Sequence, residues 1–386
     1  MRIAVPKEIL ASEKRVAATP ETVAKYREKG YEVAVESHAG EGIFISDEEY
    51  RKAGAVIVAD AEELMGNADL ILKVKQPVFN KEKNKSEVDM MRPGCTLVTF
   101  LHPAAPHSHD VVRKLRDRNI TSFTMDAIPR ISRAQRMDAL TSMSTVTGYR
   151  AVLDAAIRFP RFLPMIGTAI GTIKPATVLV VGVGVVGLQA VATAKRLGAV
   201  VKAWDIREAA RKEAGSLGAK VEGFEVPPEV ALGEGGYARA LPPDWLKKEQ
   251  AAIQPLAASS DIIVLSALVP GSLAPVIITK ETVAAMKPGS VIVDVSIDQG
   301  GNCELTKPGQ EISTNGVLVT GVQNIPGRMA VHATWLYAQN MFYYIENLYP
   351  NGHGTVNFDD EIVQNSLVTR NKEIVFKPAL EAMGGK

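Results

Sequence analysis

Thr177-Val-Leu-Val-Val-Gly-Val-Gly-Val-Val-Gly187, followed by an alanine-rich segment to Leu197 and then by Val200-Val-Lys-Ala-Trp-Asp205, is the stretch that decides how this chain folds. Thr177 to Val181 is a continuous apolar run of strand length, as expected of a parallel strand covered on both faces. Gly182, Gly184 and Gly187 then allow a tight turn, close approach of backbone to a pyrophosphate, and packing of a helix onto the strand. Gln189 to Leu197 has the small and apolar spacing of that helix, Gly198 ends it, and Val200 to Trp204 is the next strand. Asp205 closes this second strand, 23 residues after Gly182. A carboxylate in that place accepts hydrogen bonds from the adenosine ribose hydroxyls and repels a 2′-phosphate, so the cofactor read here is NAD(H) rather than NADP(H). Val185 and Val186 at the helix start, and Ile206 and Arg207 after the carboxylate, complete this part of the nucleotide site. Arg207 is also the residue that could hold a 2′-phosphate.

The 386 residues are long for one core and suggest two domains. With 44 basic against 43 acidic residues the formal charge is +1, which gives no overall signal for nucleic acid or a membrane surface. Two cysteines, Cys95 and Cys303, make no disulfide framework and point to a reducing cytoplasm. Of the six histidines only His107 and His109 lie close together, without a partner cysteine, so no metal site is expected. The N-terminus lacks the apolar segment of a signal peptide, and no run approaches the roughly 18 to 20 apolar residues needed to span a bilayer.

Short strands alternate with helices through the first 75 residues: Arg2 to Val5, a helix from Thr19 to Lys29, Glu32 to Val35, a helix from Ser46 to Ala53, and Leu70 to Val74. Thr96 to Leu101 and Thr121 to Met125 continue the pattern around a helix from Ser108 to Arg118. Met137 to Phe159 reads as a helix crossing to the nucleotide domain, and Pro160 to Pro175 as a connection. Further strands are expected near 261–265, 291–295 and 317–320, a loop between Pro227 and Pro243, and a long helix over 330–348. The class is therefore α/β, with two Rossmann-like doubly wound domains and a cleft between them. The expected boundaries are 1–140 completed by 325–386 for the first domain, and 141–324 for the NAD-binding domain.

Four further segments resemble the NAD(H)-binding subunit, domain I, of proton-translocating transhydrogenases and, more distantly, alanine dehydrogenases. They are Pro129-Arg-Ile-Ser-Arg-Ala-Gln-Arg-Met-Asp-Ala-Leu140, Gly235-Gly-Tyr-Ala-Arg239, Ser266-Ala-Leu-Val-Pro-Gly271, and Gly300-Gly-Asn-Cys-Glu304 with Pro308-Gly309. The resemblance implies that Arg130, Gln135 and Asp138 form a loop that holds the nicotinamide end of NAD(H) and faces an NADP(H)-binding partner. In physical terms a buried Arg130–Asp138 pair is expected to give a rigid fork beside a neutral amide. Arg136 stands where the family commonly has Ser. Tyr237 matches a tyrosine that closes over bound nucleotide, with glycine hinges around it. Leu268 and Thr141 complete the expected cofactor set. The partners implied are the NADP(H)-binding and membrane subunits of a transhydrogenase, with a homodimer or higher homo-oligomer and a peripheral place on the inner face of the membrane.

A second set of residues is similar to the substrate site of alanine dehydrogenases: Arg15, Lys75, His102 and Asp298, with Asn324 before Ile325-Pro326. Reductive amination needs cations on a carboxylate and a carbonyl, and an acid or base near neutral pKa. Hydride exchange between two nicotinamides needs none of these. The first reading is hydride transfer from NAD(H) on this chain to NADP(H) on a partner; the second is a stand-alone dehydrogenase of a small L-amino acid. A regulatory NAD-binding protein without catalysis explains neither residue set.

Overall fold

Alternate residues of the Thr177–Val181 strand enter opposite cores. Val178 and Val180 pack with Ala151, Ala155, Ala190 and Ala194, whereas Leu179 and Val181 pack with Trp204, Ile253, Ala257 and Ile292. Both faces of the strand are covered, which is why its sequence is apolar throughout. The computed structural model describes residues 1–233, 238–269, 273–352 and 354–384. They fall into two units, Met1–Met143 with Pro326–Lys386, and Ser144–Ile325.

The second unit holds a seven-stranded sheet in the order Lys220–Glu222, Val200–Trp204, Thr177–Val181, Ile262–Leu265, Val291–Asp294, Val317–Thr320 and Glu311–Thr314. All neighbours are parallel except the last pair, so this is the doubly wound order with an antiparallel edge. The direction of winding reverses between Thr177–Val181 and Ile262–Leu265, and ligands of such sheets bind outside the strand carboxyl ends at that reversal.

The first unit repeats the plan. Its eight-stranded sheet runs Val56–Val58, Glu32–Glu36, Arg2–Val5, Leu70–Lys75, Thr96–Phe100, Thr121–Thr124, Leu367–Arg370 and Glu373–Ile374, and only the last two pairings are antiparallel. The reversal falls between Arg2–Val5 and Leu70–Lys75. Local chemistry starts the helices where expected: Thr19 and Ser46 each cap a helix with a reciprocal bond from the third helical residue.

Three stretches differ from the sequence reading. The connection 160–175 contains an antiparallel ribbon, Ile166–Thr168 with Gly171–Ile173. Within the expected loop after Pro227 a short helix, Pro228–Ala231, forms, and Pro243–Ser259 follows as a helix. The helix expected from Met137 begins at Ala139 and runs to Arg158, because Asp138 caps it and Ser132–Met137 winds as a tighter 3-10 turn. No described helix is long and apolar enough to cross a membrane.

Candidate functional site

In the second unit the glycine-rich turn is shaped by close contacts that leave no room for side chains. A Cβ on Gly187 would lie 2.1 Å from the carbonyl oxygen of Gly182, and one on Gly182, whose φ is +80°, would lie 2.6 Å from the Ala267 backbone. At Gly184, which precedes the helix Val185–Arg196, a Cβ would meet nothing within 4 Å. The turn thus packs tightly against its own protein and leaves backbone open at the helix start, where N–H groups and the helix dipole favour a phosphate. Val185 and Val186 are half-buried beside it. These residues fit the pyrophosphate of a dinucleotide.

Asp205 is 5% exposed and has every acceptor position in use. Its Oδ2 accepts the Val183 N–H at 2.7 Å, so the carboxylate pins the glycine turn from the next strand. Its Oδ1 accepts the Arg207 backbone N–H at 2.8 Å, and the Arg207 guanidinium donates from Nε to Oδ1 at 3.0 Å and from Nη2 to Oδ2 at 2.9 Å. Ile206 between them is half-buried.

Two buried polar groups support this region, and neither was singled out from the sequence. Asn302, fully buried, clamps Ala267 at both ends of the residue: its Oδ1 accepts the Ala267 N–H at 2.9 Å, and its Nδ2 donates to the Ala267 carbonyl at 2.8 Å. Asp294 in turn accepts the backbone N–H groups of Asn302 and Cys303. Ser266 completes the connection by donating to the Gly182 carbonyl at 2.8 Å. The Gly300–Glu304 motif therefore holds the segment that walls the glycine turn and carries the half-exposed Leu268.

Behind Trp204 lies Glu249, which accepts the indole N–H at 3.0 Å and is 4% exposed. Burial pushes its carboxyl up to about 7, the indole N–H opposes that shift, and the charge of Asp205 adds to it. An unfolded chain ionises this group near 4.5, so it withdraws stability as pH rises from 4.5 to about 7, and the loss is complete above that range. Glu249→Gln keeps an acceptor for Trp204. It is expected to stabilise the protein by about 2 to 3 kcal/mol at pH 8 and by little at pH 5, on the scale of about 1.4 kcal/mol per pKa unit. Thermal melts of both proteins at the two pH values measure this; an equal gap at pH 5 and pH 8 would contradict it.

In the first unit the candidates stand at strand carboxyl ends. Lys75 ends its strand, where the pairing register shifts. There the buried Glu8 carboxylate accepts the N–H groups of Val74 and Lys75 at 2.6 and 3.3 Å. Glu8 and Glu87 also flank the buried Lys73 ammonium, at 3.3 and 2.9 Å. Burial works against that ammonium, but the two carboxylates outweigh it and raise the Lys73 pKa. His102, with φ +47°, stacks on Phe100 and places Nδ1 3.3 Å from Asp126. Burial alone would raise the Asp126 pKa; the His102 ring and the Thr124 hydroxyl reverse this and hold it below the usual carboxylate range.

Arg15 is 2% exposed, and its Nε and Nη2 form a fork on the two oxygens of Glu13 at 2.7 and 2.6 Å. Asp298 lies in the other unit, exposed, and accepts the Gln323 amide at 2.8 Å. Asn324 has a left-handed backbone, φ +47°, like His102.

The loop 130–138 is docked by its arginines and presents its amide outward. Arg133 pairs with Asp360 at 2.7 Å, Arg136 lies over the Tyr343 ring, and Asn340 donates to the Arg136 carbonyl. Gln135 is exposed. The expected buried Arg130–Asp138 fork is not formed. Arg130 is exposed, and the half-buried Asp138 directs both oxygens to Thr141, accepting its backbone N–H at 2.8 Å and its hydroxyl at 2.6 Å, because the helix start needs a cap. Tyr237, with Gly235 and Gly236, and Pro270-Gly271 lie outside the described residues.

Comparison with known proteins agrees with this geometry. The N-terminal and C-terminal domains described as alanine dehydrogenase/PNT match residues 4–147 and 151–377. The chain is 39% identical over 382 residues to NAD(P) transhydrogenase subunit alpha of Cereibacter sphaeroides, covering 98% of this chain and 72% of that one. Against the separately encoded first segment of the same subunit in Rhodospirillum rubrum it is 43% identical over 387 residues, covering 100% of both chains. It is 30% identical to alanine dehydrogenase of Mycolicibacterium smegmatis, covering 97% of this chain and 95% of that one. The crystal structure of transhydrogenase from Sinorhizobium meliloti superposes with a TM-score of 0.83 at 36% identity, covering 97% of this chain and 99% of the other.

Proposed function

The chain belongs to the alanine dehydrogenase/PNT family, and from that premise we propose that it is the NAD(H)-binding subunit of a transhydrogenase, exchanging hydride with NADP(H) held on a partner subunit. The observation that carries this reading is full-length similarity to a transhydrogenase alpha subunit, together with a glycine turn that leaves backbone open at Gly184 and a strand-end carboxylate at Asp205.

Bound NAD(H) supplies the hydride. The chain's part is positional: Gly182, Gly184 and Gly187 receive the pyrophosphate, Asp205 the adenosine ribose, and the 130–138 loop presents Gln135 toward the nicotinamide and the partner. Holding the two reacting rings together with water excluded is worth several orders of magnitude in rate without an acid or base. A place beside the membrane follows through the partner subunits.

The amino-acid dehydrogenase reading is weakened by Arg15. Its planar fork is closed on Glu13 within the protein, which is the surface a substrate carboxylate would require. Purified protein given NAD⁺ and a panel of small L-amino acids at alkaline pH is therefore expected to form no NADH above background. Turnover that disappears in both His102→Ala and Lys75→Ala would overturn the proposal in favour of the dehydrogenase.

The subunit is proposed to be a homodimer. On the second unit Ile157, Phe162, Met165, Ile170 and Ile173 are 76, 55, 64, 99 and 44% exposed around the ribbon Ile166–Thr168/Gly171–Ile173. A lone two-stranded ribbon is marginal in water, and a cluster of this kind is normally covered by protein. Ile170→Asp is expected to halve the mass measured by light scattering without unfolding the chain; an unchanged mass would place the interface elsewhere.

A further inference from the structure

We infer that Arg207 is a specificity-determining residue, a guanidinium equipped to bind a 2′-phosphate and held out of use by Asp205. This deepens the NAD(H) reading and rests on it. Two guanidinium groups converge on one acidic residue: Arg207 forks onto the Asp205 carboxylate, and Arg211 donates to the Asp205 carbonyl at 2.9 Å. Cations sufficient for a phosphate are thus already present at the strand end that receives the adenosine ribose.

The four contacts on Asp205 divide by what can move. Two come from backbone, Val183 and Arg207, and are fixed by the fold. The other two come from the Arg207 side chain, which is half-buried and ends a flexible stem. A carboxylate offers about four lone-pair sites, and a ribose needs two of them. Ribose hydroxyls that reach Asp205 therefore exchange with the guanidinium, while the backbone contacts remain. For NADH this exchange replaces charge-assisted bonds with neutral-donor bonds, which weakens binding below what Asp205 alone would give. For NADPH the released guanidinium has a new partner in the 2′-phosphate, but the phosphate must also sit against the Asp205 charge, and that repulsion decides the preference. Selectivity is then a property of the pair.

Fluorescence titration of NADH and NADPH against wild type, Arg207→Gln, Asp205→Asn and the double variant tests this. Wild type is expected to prefer NADH. Arg207→Gln should bind NADH about threefold to tenfold more tightly and NADPH more weakly, the scale of one charge-assisted hydrogen bond. Asp205→Asn should gain about tenfold or more for NADPH, and the double variant should lose that gain. A double variant that keeps the NADPH gain, or an Arg207→Gln protein with weaker NADH binding, would overturn the inference and leave the NAD(H) reading intact. If Asp205→Asn fails to fold, the single Arg207→Gln titration still decides the matter. Wild type that binds neither nucleotide would overturn the reading and the inference together.

Discussion

Gly187→Ala is expected to raise the NADH dissociation constant by about two orders of magnitude, the cost of removing close backbone approach at a dinucleotide turn. The added methyl would lie 2.1 Å from the Gly182 carbonyl oxygen, and that oxygen belongs to backbone held by Ser266. The helix Val185–Arg196 must move off the turn, which carries its first N–H groups away from the phosphates. Overpacking of this kind also destabilises by about 1 to 3 kcal/mol. Gly184→Ala separates the two effects. Its methyl meets nothing within 4 Å, so the melting temperature should hold while NADH affinity still falls, because only the pyrophosphate occupies that space. Calorimetric titration and thermal melts of both variants measure this. Unchanged NADH affinity in Gly187→Ala would remove the turn from the site.

Gln135→Ala is expected to lower hydride exchange with a supplied NADP(H)-binding subunit by about a hundredfold while NADH affinity changes little, as when a positioning contact is lost. The loop itself should stay in place: Ala134 and Met137 are buried, Arg133 is tied to Asp360, and Arg136 lies on Tyr343. Asp138→Ala should slow exchange similarly and cost about a further 1 kcal/mol of stability, because its carboxylate also caps the following helix. Single-turnover rates and NADH titrations on the same preparations give the comparison. Equal proportional losses of rate and affinity would make the loop a plain binding element.

What could be read from the sequence was whatever is set by neighbours along the chain. The apolar run 177–181, the spacing of the three glycines, the capping pair Ser46 and Glu49, and the small residues of the following helix are all local, and each has its expected element. The doubly wound order follows from alternation of strand and helix. What escaped the sequence reading depends on partners far away in the chain. Lys73 sits in Leu70–Lys75, where a lysine ordinarily marks a solvated face, yet Glu8 and Glu87 bury it. Trp204 meets Glu249 across 45 residues, and Asn302 meets Ala267 across 35. Arg130 and Asp138 failed as a pair for the opposite reason. A helix start lay next to Asp138, and the local demand for a cap took the carboxylate.

Passage of hydride from NADH on this chain to NADP⁺ held on another subunit, with no amino acid involved, can be observed directly. The measurement mixes the purified protein and NADH with a transhydrogenase NADP(H)-binding subunit carrying a spectrally distinct NADP⁺ analogue, and follows analogue reduction by stopped flow. The expected result is reduction within a single turnover that requires both proteins and, with NADH deuterated at C4, delivers the deuterium to the reduced analogue. No reduction with both proteins present and NADH bound, together with NADH formation from NAD⁺ and an L-amino acid, would contradict the account.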